Sequence, residues 1–134
     1  MRRRGIWGFA LLALLALPGA AKDDGPFGAI AYSDTHKNAY TSNCLNSEAE
    51  AEADALKQCH DNAPDDQTCS IAVWWSNGCG AYAKTDDGET WGTGWGSTPE
   101  LAKQYAVKTC RDFGGQNCKA RIVACSPGGY FEMN

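Results

Sequence analysis

The chain has 134 residues, 12 Lys and Arg against 16 Asp and Glu, seven cysteines and a formal net charge of −4 at pH 7. That length suits one domain. An acidic balance without a Lys/Arg cluster in the body of the chain argues against nucleic acid and anionic membrane surfaces as partners.

The first segment reads as a targeting signal. Arg2, Arg3 and Arg4 form a basic start, Ile6 to Leu17 form an apolar run, and Pro18-Gly19-Ala20-Ala21 supplies small residues before Lys22-Asp23-Asp24. This pattern predicts a secretory signal peptide over residues 1–21, cleaved after Ala21. The apolar run is too short to span a bilayer, so no membrane insertion is expected after cleavage. The mature chain, residues 22–134, is then a single secreted or periplasmic domain. All seven cysteines, 44, 59, 69, 79, 110, 118 and 125, lie in it, and export with that density predicts a disulfide framework.

Beyond the signal the elements come in a fixed order. Phe27-Gly28-Ala29-Ile30-Ala31-Tyr32-Ser33-Asp34 reads as a strand, and Asn38-Ala39-Tyr40-Thr41 as a second. Ser47-Glu48-Ala49-Glu50 is a capping box that opens a helix ending near Cys59, with Ala49, Ala53 and Leu56 as its apolar edge. A polar loop and Cys69 lead into the apolar strand Ile71-Ala72-Val73-Trp74-Trp75. The chain then starts again, since Gly80-Ala81-Tyr82-Ala83-Lys84-Thr85-Asp86 repeats the pattern of Gly28 to Asp34. Asp86-Asp87-Gly88 predicts a hairpin turn into the strand holding Trp91, Gly92, Gly94 and Trp95. Thr98-Pro99-Glu100 opens a second helix with Pro99 at its first position, and Leu101, Ala102, Tyr105, Ala106, Thr109, Cys110 and Phe113 as its stripe. Cys118 and the run Ala120 to Ala124 close the second unit.

Two strand–strand–helix–strand units, about 27–78 and 79–126, thus follow each other, with Cys59 and Cys110 51 positions apart. The fold class expected is α+β: a tandem β-β-α-β repeat forming one antiparallel sheet with two helices packed on one face, stapled by disulfides. If equivalent cysteines do equivalent jobs, Cys59–Cys69 and Cys110–Cys118 staple each helix end to the next strand. Cys79–Cys125 is then expected as a tie between the halves. Cys44, whose counterpart is Trp95, is left free or intermolecular, with a dimer through Cys44 as one outcome.

The Gly-Ala-Ile-Ala-Tyr-Ser start, the Ser-x-x-Glu-Ala helix ending in Cys59, the Cys-x-Ile-x-Val-Trp-Trp strand, the Asn-Gly-Cys-Gly-Ala-Tyr-Ala restart and Gly94-Trp95-Gly96-Ser97 form a set. As a set they resemble the family of secreted bacterial proteins known as domain of unknown function 4189, over residues ~26–126. The resemblance implies an exported bacterial protein with a doubled α+β unit, and no catalytic residues.

Few residues of the chain suit catalytic or metal chemistry. His36 lies in a turn and His60 at a helix end; Cys44 with His36 is the best catalytic pair, and it lacks a third orienting group. The cysteine spacings contain no C-x-x-C, so no metal and no cofactor are expected. Asp86-Asp87-Gly88-Glu89 suits a hairpin better than a calcium site. Asp65-Asp66, or Asp87 with Glu89, sit in polar turns without the burial that glycoside hydrolysis needs. The aromatic residues Trp74, Trp75, Tyr82, Trp91 and Trp95 are the expected binding residues, forming a row on an open sheet face against an unknown protein or glycan partner. The reading is therefore a small exported binding protein and not an enzyme. The alternatives are a periplasmic inhibitor or immunity protein against a cell-wall hydrolase or toxin, and an enzyme using Cys44 and His36.

Overall fold

The computed structural model describes residues 25–65, 67–128 and 130–132, so the expected signal peptide lies outside the described residues. The first apolar stretch forms β1 (Phe27–Ser33). It pairs antiparallel with β2 (Asn38–Leu45) and β3 (Ser70–Ser76), in the order β2-β1-β3. Its counterpart forms β4 (Gly78–Lys84), between β5 (Trp91–Gly96) and β6 (Lys119–Ser126). The short β7 (Tyr130–Glu132) adds to β6, making the order β5-β4-β6-β7. The helices are α1 (Glu48–Asn62) and α2 (Pro99–Asp112).

The chain is α+β and carries three disulfides, but its strands make two sheets where one was expected. The reason lies in the central strands. Every residue of β1 is buried, as is all of β4 except its ends. A strand that is apolar on both faces needs cover on both. On the outer faces Phe27, Ala29 and Ala31 pack against Ala51, Ala55 and Cys59 of α1. Cys79, Ala81 and Ala83 pack in the same way against Ala102, Ala106 and Cys110 of α2. The inner faces meet each other through Ile30, Tyr32, Trp75, Tyr82, Ile122 and Ala124. The layers thus run helix, sheet, sheet, helix. Asn77, in the left-handed region at φ 52°, carries the chain from β3 in one sheet to β4 in the other.

The two units match in detail. Both outer pairings shift register at the same place, between Ile30 and Ala31 in one and between Tyr82 and Ala83 in the other. Ser47 Oγ accepts from the Glu50 N–H at 3.1 Å, and Thr98 Oγ1 from the Leu101 N–H at 3.1 Å. Each cap satisfies a helix-end donor and is worth about 1 kcal/mol. The buried face of α1 is Ala51, Ala55 and Cys59, not the expected Ala49 and Ala53, which are exposed. Alternate alanines leave the stripe ambiguous, and the bond from Cys59 to Cys69 fixes which side turns inward. On α2 the expected stripe is trimmed: Tyr105 and Phe113 are exposed, and Ala102, Ala106 and Cys110 make the contact.

Cys110–Cys118 staples α2 as Cys59–Cys69 staples α1. Cys79–Cys125 does not tie the halves together. The two residues face each other across β4 and β6, so the bridge lies wholly within the second sheet. The corresponding pair in the first sheet is Phe27 and Ser76.

Candidate functional site

The site is built on β3 and β5, outer strands of the two sheets that meet where Thr93 Oγ1 donates to the Ala72 carbonyl at 3.4 Å. Successive side chains of a strand alternate between faces. Trp75 therefore turns inward while Trp74 turns towards the α1 side, its ring 6.3 Å from that of Phe27. Trp75 is 1% exposed and lies between the sheets. It fits there because Gly28 and Gly80, equivalent glycines of the two units, leave the space: a Cβ at either would collide with its indole. Trp75 thus fills core, contrary to its assignment as a binding residue.

Tyr82 is corrected in the same way. It is 1% exposed, and its hydroxyl has no hydrogen-bond partner among the described residues. Burial pushes its phenol well above the ordinary tyrosine range, with Tyr32 adding to the rise and Arg121 opposing it. Tyr32 is raised too, by burial first and then by Asp34 and Glu89. Trp91 is half-buried and stacks on Tyr32, with ring centroids 3.9 Å apart and 21° between planes. The open aromatic sheet face therefore does not exist, because each sheet covers the other.

Two expected binding residues do reach solvent together. Trp74 is 38% exposed and Trp95 is 60% exposed. Trp95 follows Gly92 and Gly94, where a Cβ would strike the backbone of α2; this close approach directs Trp91, Thr93 and Trp95 to the opposite face. A groove of about 590 Å³ runs along residues 72–77 and is closed on one side by Trp95. The buried Trp75 is among its lining residues, and Ser76 and Asn77 supply polar groups at one end. On its other flank Trp95 borders a second groove of about 600 Å³, with Leu101 and Tyr105 of α2. No residue lining either groove carries a charge. Ser76, Asn77 and the groove itself escaped sequence reasoning; the one available signal was an outer strand, Val73 to Ser76, with neither proline nor charge.

The other candidates are not assembled. His36 precedes β2 and Cys44 lies near its far end, so the strand, at ~3.3 Å per residue, holds them roughly 20 Å apart. Cys44 sits at φ 63° where β2 bulges, its N–H bonded to Ser126 Oγ at 2.8 Å. It is an exposed thiol outside the three bridges. Asp87 accepts the Glu89 N–H at 3.0 Å and the Thr85 hydroxyl at 2.7 Å, which hold its carboxyl below the usual range. Asp86 pairs with Arg121 at 3.1 Å. These bonds make Asp86 and Asp87 parts of the β4–β5 turn. No helix among the described residues is long and apolar enough to cross a membrane.

Residues 27–125 match the family described as domain of unknown function (DUF4189), and the chain belongs to it. No curated protein and no solved structure matches.

Proposed function

We propose that the chain is an exported binding protein without a catalytic role, and that its ligand seats in the groove between Trp74 and Trp95. The observation that carries this reading is the placement of two exposed tryptophans, from different sheets, on one uncharged groove. Large rigid aromatics at a groove's rim contribute contact area at low entropic cost and are the usual anchors of interfaces. Three intramolecular disulfides suit an oxidising compartment, and the packed core between the sheets, with Trp75 in it, sets the separation of the two rims. An inhibitor or immunity protein would be one form of this binding, distinguished by a hydrolase or toxin as its partner.

The test is capture of exported proteins and cell-wall glycan on the wild-type chain and on a Trp74→Ala/Trp95→Ala double variant. The expected result is a partner whose recovery drops about tenfold or more on the double variant. Equal recovery on both would remove the groove from the account. Both residues are partly exposed, so the variant is expected to keep the wild-type fold, which circular dichroism checks.

A further inference from the structure

The hydrogen-bond phase of β3 and the fate of its counterpart β6 point to the ligand's chemistry. Asn77 N–H bonds to the Pro26 carbonyl at 3.0 Å, while Ser76 stands opposite Phe27. Antiparallel pairing alternates, so Val73, Trp75 and Asn77 bond inward to β1 and its approach, and Trp74 and Ser76 turn their N–H and C=O groups to the outer edge. Ala72 has the same outward phase: its carbonyl accepts from Thr93 Oγ1 at 3.4 Å, across the gap to β5. β3 is the outermost strand of its sheet, and the groove runs along this edge.

The second unit has the same edge, and there it is filled. By register, Trp74 opposite Ala29 corresponds to Val123 opposite Ala81, and Trp75 opposite Gly28 to Ala124 opposite Gly80. Val123 faces Phe131 and Ala124 faces Tyr130, because β7 of the chain's own C-terminal tail pairs antiparallel with β6. Among the described residues one of two equivalent edges is thus completed with an extended segment and the other is open. Open, flat, uncharged edges are pairing templates, normally blunted by charge, proline, shortness or a bulge. The bulge at Asn43–Cys44 interrupts β2, and β7 has three residues; β3 bulges at Ala72, and beyond it Val73 to Ser76 runs regular, with neither charge nor proline.

Resting on the binding role proposed above, we infer that the ligand is an extended peptide segment of a partner protein, added antiparallel to β3 as β7 is added to β6. It exchanges backbone hydrogen bonds with Trp74 and Ser76, and its side chains lie between the Trp74 and Trp95 indoles. At ~3.3 Å per residue, the six positions 72–77 admit a segment of about six residues. Charge complementarity sets its composition. The groove is uncharged and the chain carries −4 at pH 7, so the segment is neutral at its centre with neutral or basic flanks.

The experiment selects a displayed library of random peptides, about nine residues long, on the purified protein. The selected peptides are then measured by fluorescence anisotropy and amide hydrogen exchange. Expected are neutral-centred sequences whose binding weakens about tenfold or more when alternate backbone nitrogens are methylated in one phase, and not in the other. In the complex the Trp74 and Ser76 amides slow, whereas those of Val73 and Trp75 are slow already. Ser76→Pro, which removes one outward donor and no bond to β1, weakens binding with an unchanged melting midpoint. No enriched peptide, or binding indifferent to methylation in both phases, would overturn the inference. So would a dimer of the free protein that Ser76→Pro dissociates, since a second copy would then own the edge. Hexameric N-acetylglucosamine serves as the glycan probe. If it moves the Trp74 and Trp95 indole signals without protecting the two amides, the groove stands and the peptide falls. Peptides that bind the Trp74→Ala/Trp95→Ala variant undiminished would remove both.

Discussion

The two units of this chain share an architecture and differ at the places where the groove is made. Trp74 answers to Val123 and Trp75 to Ala124, and Trp95 stands where the other unit has the bulged pair Asn43 and Cys44. What the units share is support: the capped helix, the alanine face, the helix-end disulfide and the bulge next to the central strand. What they do not share is surface. A duplicated scaffold is free to vary wherever its packing does not need identity, and here the variations converge on one side of the sandwich. The opposite side is occupied by the chain itself, with β7 on β6 and Cys44 held to Ser126.

The comparison can be broken most severely at Trp75. Trp75→Ala empties the space over Gly28 and Gly80 and is expected to cost about 3–5 kcal/mol in denaturant unfolding, while Trp95→Ala costs little. A small loss at Trp75 would mean that it does not hold the sheets together. Removing the bridge that only the second unit has, by Cys79→Ala with Cys125→Ala, is expected to cost about 2–4 kcal/mol in the same measurement. Gly94 is a sharper probe. Its counterpart Ser42 is buried and donates to the Ala51 carbonyl at 2.6 Å, yet at Gly94 a Cβ meets the backbone of α2. Gly94→Ser is therefore expected to destabilise by about 1–3 kcal/mol by overpacking, although the other unit tolerates serine in that place. Ser47→Ala and Thr98→Ala are expected to cost about 1 kcal/mol each, equally in the two units, because the cap geometry is the same.

The smallest effect is the pH dependence due to Tyr32 and Tyr82, which is absent at neutral pH and appears only in alkali. Folding raises both phenols above their unfolded value, so the folded state holds its protons longer than the unfolded one. Their contribution is fully present below about pH 10, and it is lost as pH rises through the folded values. Tyrosinate absorbance from these two residues should therefore appear together with alkaline unfolding; titration before unfolding would contradict their burial.

Local features were the legible part of the sequence. Ser47, Thr98 and Pro99 act within one turn of the backbone, and the restart at Gly80 shows in the residues themselves. The expected single sheet failed at Asn77, where one residue carries the chain between sheets and no turn signature says which. A signal was present in Phe27 to Ser33, a run without polar alternation, which is the mark of a strand covered on both sides. The same oversight misplaced Trp75 and Tyr82, because alternation tells which residues share a face and says nothing about what covers it. Trp74 and Trp95 stand within one groove only through the stacking of two sheets, a relation between residues 21 positions apart that no local pattern carries.

The central claim is that ligand contact falls on the groove between Trp74 and Trp95. It is tested most directly by proton–nitrogen correlation spectra of the protein titrated with the partner recovered by capture. The account predicts that the indole signals of Trp74 and Trp95 and the backbone signals of residues 72–77 move together, while Trp91 and the β2–β6 side stay in place. Shifts centred on Cys44 and β6, with Trp74 and Trp95 unmoved, would contradict it.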